Sequence, residues 1–246
     1  MNAKITATAH NAPEKVMTNF DLEKLVDTSD EWIQSRTGIV QRHVVAKDEA
    51  SSDICTRIAN SLLKESQMSP NELDLILVGT VTPDHLTPST AALVQKNIKA
   101  NNAWGYDLSA ACSGFLFGLE TGANFIASGR YKRVMVIGVD TMTSILDFQD
   151  RDTCVIFGDG GGGVILEPTS DGNGIVDSIL HMDGSGGDYL IVPGGGSRIP
   201  ASVESVEKRK HFIKQDGKTV FKYAVNGMAD VSEKILSRNN LTGQDI

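Results

Sequence analysis

The sequence is short of three things, and each shortage removes a class of protein. Basic residues are the first: 23 Lys and Arg stand against 31 Asp and Glu, a net charge of −8. Binding nucleic acid needs a clustered basic surface to neutralise phosphates, so no nucleic-acid partner is expected. Cysteine is the second. Cys55, Cys112 and Cys154 are widely spaced, with no Cys-x-x-Cys pair, so neither a disulfide framework nor a metal site is expected. Free thiols fit a reducing, cytoplasmic location. Long apolar runs are the third: no stretch reaches the roughly 18 residues of a membrane span. The first residues, to Pro13, lack the basic-then-apolar pattern of a secretory signal.

What is present is an ordinary globular composition, with 246 residues, 40% hydrophobic and 22% charged. A chain of that length buries on the order of 70% of its unfolded surface, in one large core or two smaller ones. Short apolar runs at 75–78, 104–108 and 134–139 read as buried strands. Helical patterns lie between them. Ile54, Ile58 and Leu62 share one face of a helix at 51–65; a helix at 88–98 is expected to carry Pro88 in its first turn; Phe115, Leu119, Ala123 and Ile126 form a stripe at 113–127. Strands alternating with amphipathic helices predict a layered α/β fold.

Val155 to Phe157 and Val164 to Leu166 flank a glycine run and read as two strands joined by a tight turn. That run fits Gly-x-Gly-x-x-Gly, yet a dinucleotide fingerprint must open a helix, and here a strand follows. A second unit is expected from about residue 171. It holds a strand at 174–182, a surface excursion at 184–216, and a helix at 218–238 with Val220, Ala224, Met228, Val231 and Ile235 inward. One strand and one helix cannot bury their own apolar faces, so this unit is read as incomplete and the chain as truncated.

The most informative stretch runs from Trp104 to Phe115, WGYDLSAACSGF. A strand ends near Leu108, small residues make a sharp turn, and Cys112 arrives where a helix begins. The thiolate is the reactive form of cysteine, and the positive end of a helix lowers a thiol pKa. The backbone N–H of Cys112 is a possible donor to a thioester oxyanion. Cys55 and Cys154 read as buried apolar fillers. None of the five histidines (His10, His43, His85, His181 and His211) is placed by pattern as the base that a cysteine nucleophile needs.

Four ordered motifs carry a resemblance: TSDEWIQSRTGI from Thr28, the stretch from Asp107 to Phe115, the stretch from Arg151 to Gly163, and DGKTVFKYAV from Asp216. With them the chain resembles the β-ketoacyl-acyl-carrier-protein synthase III family of the thiolase-like superfamily, from Ile5 to Ile246. The resemblance implies a five-layered α/β/α/β/α sandwich of two related halves. Residues 1–170 would form the half with the nucleophile, and 171–246 an incomplete second half. It implies a homodimer that takes an acyl group from acyl-CoA and condenses it with malonyl-acyl carrier protein, starting fatty-acid synthesis without a cofactor. Cys112 matches the family nucleophile. Trp32 and Arg151 match a pair that sandwiches the adenine ring, and Thr28, Arg36, Ile156 and Phe221 match positions lining the CoA site.

The chain also departs from the family pattern. The family's catalytic His and Asn, and a late Gly that completes the oxyanion hole, are expected beyond Ile246. Lys218 stands where many members have Asn. Thr87 stands where several members have a bulky Phe that closes the acyl tunnel across the dimer interface, so a full-length version is expected to accept longer or branched primers than acetyl. The basic run at Lys208, Arg209 and Lys210 is a candidate docking face for an acidic carrier protein. Two other readings stay open. One is a different thioester-condensing enzyme of the same fold, although the Glu of a hydroxymethylglutaryl-CoA synthase has no counterpart in GTVTP from Gly79. The other is a truncated chain that only dimerises or binds acyl-CoA.

Overall fold

The structure, a computed structural model, describes residues 2–246. The chain folds as two compact units, each assembled from separated stretches. The first takes the residues up to Met17, Arg42–Ser144 and Gly158–Val176; the second takes Thr18–Gln41, Ile145–Phe157 and Asp177–Ile246.

The first unit is built on a five-stranded sheet. Its strands are β1 (Asn2–Asn11), β2 (Leu75–Gly79), β3 (Trp104–Leu108), β4 (Val134–Thr141) and β5 (Asp159–Thr169), in the spatial order β1-β5-β4-β2-β3. β2 runs parallel to both β3 and β4, whereas β5 is antiparallel to β4 and to β1. β2 is buried along its whole length, which is why it reads as a continuous apolar run rather than an alternating one. Successive side chains of a strand point to opposite faces, and the two cores follow that rule. On one face, Ile76, Val78, Met135 and Ile137 pack with Ile54, Ile58 and Leu62 of α1 (Ser51–Glu65) and with Val94 of α2 (Thr90–Asn97). On the other, Leu75, Leu77, Val134 and Val136 pack with Ile126 of α3 (Gly114–Ala127). Each of these side chains contributes about 1.5–3 kcal/mol of apolar burial.

Several sequence expectations change here. The glycine run is no turn between two strands: Gly160 to Gly163 lie inside β5, paired with β4 on one side and β1 on the other. Glycine is required there by close packing, because a Cβ on Gly161 would sit 2.8 Å from the Gly138 carbonyl oxygen and one on Gly163 2.9 Å from Ile137. Residues 155–157 follow a short helix, Arg151–Cys154, instead of forming a strand. α2 begins after Pro88, at Thr90, because the Ser89 side chain caps it by accepting from the Ala92 N–H. His10 belongs to β1 and His43 to a short strand, Gln41–His43.

In the second unit, helix Asp30–Thr37 starts at Ser29, whose hydroxyl accepts from the Trp32 N–H, and ends at Gly38 in the left-handed conformation (φ 73°). No strand forms at 174–182: after Gly174, at φ 117°, the Ile175 N–H bonds the Ala3 carbonyl at 2.8 Å, and no ladder continues beyond it. The long helix is present as Gly217–Arg238; of its apolar stripe Val220, Val231 and Ile235 are half-buried, whereas Ala224 and Met228 are exposed. None of its residues is buried, Met228 is 62% exposed, and its unit offers the stripe little cover beyond the turn Gly184–Tyr189.

Candidate active site

Cys112 is exposed, on a 3-10 turn (Ala111–Ser113) between the carboxyl end of β3 and the start of α3. Sites in α/β sheets lie outside the carboxyl ends of parallel strands, and this turn sits at that edge. The turn is strained. Ala111, directly before the cysteine, has φ 47°, a left-handed conformation that costs a non-glycine residue about 1–3 kcal/mol. Close backbone packing holds it in place: a Cβ on Gly79 would lie 2.7 Å from the Gly114 carbonyl carbon. The turn therefore rests directly on the end of β2, with no side chain between.

Below the thiol lies a cavity of about 430 Å3, lined by Cys112, Phe115, Asp140 and glycines that include Gly138, Gly160 and Gly162. Gly138 pairs with Gly162 and Asp140 with Gly160 across β4 and β5, so one side of the cavity is almost bare backbone. Asp140 fixes the loop above it. Its Oδ1 accepts from the Thr80 hydroxyl (3.1 Å), the Val81 N–H (2.8 Å), the Thr82 N–H (3.2 Å) and the Thr82 hydroxyl (2.9 Å). Asp107, near the end of β3, accepts from the Thr90 and Ala91 N–H groups at 2.7 and 2.8 Å and so pins the start of α2. Both carboxylates escaped the sequence reading. Their one signal is position, an acid at the carboxyl end of an apolar strand. Thr87 is exposed in the loop before α2. Cys55 and Cys154 are buried, and burial raises the Cys55 thiol pKa well above its ordinary value.

The second unit holds the other residues singled out. The Arg151 guanidinium lies 4.1 Å from the centre of the Trp32 ring, a cation–π stack between two residues far apart in sequence. Thr28 Oγ1 and Arg151 Nε are both buried without a hydrogen-bond partner among the described residues. Arg36 is exposed on the helix of Trp32, and Ile156 is half-buried after the helix of Arg151. Phe221 is 70% exposed on helix Gly217–Arg238. The basic run is not a free patch. Arg209 grips the buried Asp147 with two hydrogen bonds, and Lys208 bonds Glu204 at 2.6 Å. Hydrogen bonding from Arg209 holds the Asp147 carboxyl below the usual carboxylate range. Among the described residues no cluster of His, Cys, Asp and Glu is arranged to hold a metal, and no helix is long and apolar enough to cross a membrane.

Comparison with known proteins agrees with this geometry. The family model described as 3-oxoacyl-[acyl-carrier-protein (ACP)] synthase III matches residues 106–184, which span the cysteine turn and the glycine strand. The β-ketoacyl-[acyl-carrier-protein] synthase III of Chlorobaculum tepidum is 56% identical over 249 residues, covering 100% of this chain and 76% of that protein. The crystal structure of the Aquifex aeolicus 3-oxoacyl-[acyl-carrier-protein] synthase III superposes with a TM-score of 0.88 at 39% identity, over 99% of this chain and 74% of that one. The Thermus thermophilus enzyme gives a TM-score of 0.90 at 36% identity, over 99% and 74%. The fold defines the class, that of the thiolase-like condensing enzymes. Within that class, the chain belongs to the β-ketoacyl-[acyl-carrier-protein] synthase III family, about three quarters of whose length it spans.

Proposed function

We propose that this protein starts fatty-acid chains: Cys112 takes an acyl group from acyl-CoA, and the acyl-enzyme is then condensed with malonyl-acyl carrier protein. The observation that carries this is the exposed Cys112 on a strained strand-to-helix turn above a glycine-lined cavity. In the first step the thiolate sulfur attacks the thioester carbonyl and CoA leaves as its thiolate, which takes a proton from water. In the second, malonyl-carrier protein loses carbon dioxide and its carbanion attacks the acyl-Cys112 carbonyl, freeing the Cys112 thiolate. The glycines leave room for an acyl chain, and Asp140 keeps the overlying loop from collapsing into it. With the His and Asn that the resemblance places beyond Ile246 present, incubation with acyl-CoA and malonyl-carrier protein should yield the 3-oxoacyl-carrier protein with release of carbon dioxide. Cys112 acylation without either product would limit the protein to the acyl-transfer half-reaction.

Trp32 and Arg151 are read as the pair that receives the adenine ring, and Thr28, Arg36, Ile156 and Phe221 as the lining of the CoA site. The Trp32–Arg151 contact supports this, since both groups present a flat face for stacking. An inserted ring needs about 7–8 Å between them, two van der Waals layers, so the guanidinium must swing aside. Trp32→Ala is expected to raise the KM for acyl-CoA about tenfold with kcat little changed. An unchanged KM would remove Trp32 from the site.

The open glycine wall and the small Thr87 support use of primers longer than acetyl. Thr87→Phe is expected to lower the rate with a six-carbon acyl-CoA about tenfold relative to acetyl-CoA. A wild-type protein active on acetyl-CoA alone would contradict this reading. The division into halves at residues 1–170 and 171–246 draws support from β5, which completes the five-stranded sheet by Thr169. Homodimerisation draws support from the sheet edge at β3, where Trp104 is 43% exposed. The three free cysteines support a cytoplasmic location.

A further inference from the structure

We infer that the Asp147–Arg209 ion pair is a positioning device for Arg151, and so sets how tightly the nucleotide end of acyl-CoA is held. The inference rests on the reading of Trp32 and Arg151 as the adenine-binding pair. Arg151 stands on a helix of four residues, Arg151–Cys154. A single turn has too few internal hydrogen bonds to hold itself, so its place must be imposed from outside.

The constraint can be followed bond by bond. Asp150 opens the turn, its carboxylate accepting from the Asp152 N–H at 3.1 Å and its carbonyl from the Cys154 N–H at 3.0 Å. Asp150 is held in turn by Asp147, whose carbonyl accepts from the Asp150 N–H at 2.9 Å and whose Oδ1 accepts from the Gln149 N–H at 2.8 Å. The Asp147 side chain is only 5% exposed, and a carboxylate so buried needs a cation. Arg209 supplies it from a distant part of the same unit, through Nε to Oδ2 at 2.8 Å and Nη2 to Oδ1. Lys214 adds a second anchor, 3.4 Å from the Asp150 carboxylate, and the Ile213 N–H bonds the Ile145 carbonyl at 2.9 Å. Arg209 itself is set by its backbone, at φ 54°, with its guanidinium 5.0 Å from the centre of the Phe212 ring. The segment 209–214 is thereby tied to the turn that aims Arg151 at Trp32.

A planar fork on a carboxylate fixes orientation as well as distance, which lysine cannot reproduce. The consequence is a specificity effect confined to the nucleotide half of the substrate. Acyl-CoA carries that half and acyl-pantetheine lacks it, so the ratio of their Cys112 acylation efficiencies isolates Arg151 placement from chemistry at the thiol. Asp147→Asn and Arg209→Lys are expected to lower the acyl-CoA to acyl-pantetheine ratio about tenfold, through KM rather than kcat. Arg209→Lys keeps the charge and guards against failure of Asp147→Asn to fold. Arg151→Ala is the reference variant and should lower the ratio at least as far. A reduced ratio in Arg151→Ala, with wild-type ratios in both Asp147→Asn and Arg209→Lys, would overturn the positioning role alone. An unchanged ratio in Arg151→Ala would overturn the base-binding reading and the positioning role with it.

Discussion

Cys112→Ala is expected to lower acyl transfer from acyl-CoA by at least about a thousandfold, because the other nucleophilic side chain on the turn, Ser113, offers a hydroxyl far less reactive than a thiolate. The selectivity among the three cysteines is geometric. Cys112 is exposed beside the cavity, while Cys55 and Cys154 are closed inside the protein. Burial adds to this for Cys55, whose thiol is held protonated by desolvation and by nearby carboxylates, Asp107 first among them. Cys55→Ala and Cys154→Ala should therefore still give an acyl adduct. Time courses of adduct formation for the three variants measure the difference. A rate in Cys112→Ala within tenfold of wild type would move the nucleophile elsewhere.

Gly79→Ala should destabilise the protein directly through the cysteine turn. The added methyl group would lie 2.7 Å from the Gly114 carbonyl carbon, 3.0 Å from its oxygen and 3.1 Å from the Phe115 nitrogen. All three are backbone atoms, so no rotamer change relieves the overlap; either β2 or the cysteine turn must move. Overpacking of this kind costs about 1–3 kcal/mol, which lowers Tm by about 2–12 °C in a chain of this size. Gly160→Ala is the control, since its methyl group would approach nothing closer than 3.5 Å and should leave Tm within about 2 °C. Equal melting of the two variants would show that Gly79 does not support the turn.

The layers were legible where burial and periodicity coincide. Ile54, Ile58 and Leu62 mark α1, and the run from Leu75 marks a strand covered on both faces. The glycine strand was misread because glycine signals turns in sequence, while here it permits β4, β5 and α1 to approach closely. The stripe on helix Gly217–Arg238 shows the reverse error, since a period of 3.6 fixes a helix but not what covers it. At the site, Cys112 was legible from its strand, small-residue turn and helix. Trp32 and Arg151 were paired through resemblance, because no local pattern links residues from separate stretches. Arg209 shows the same limit: within its run it reads as surface charge, and only the fold reveals that Asp147 holds it.

Intact mass spectrometry after incubation with a short acyl-CoA, followed by peptide mapping, tests the role of Cys112 most directly. One added acyl group, recovered on the peptide containing Cys112 and removed by hydroxylamine as a thioester should be, is the expected result. Acylation at another residue, or none at substrate concentrations well above the usual KM range, would contradict it.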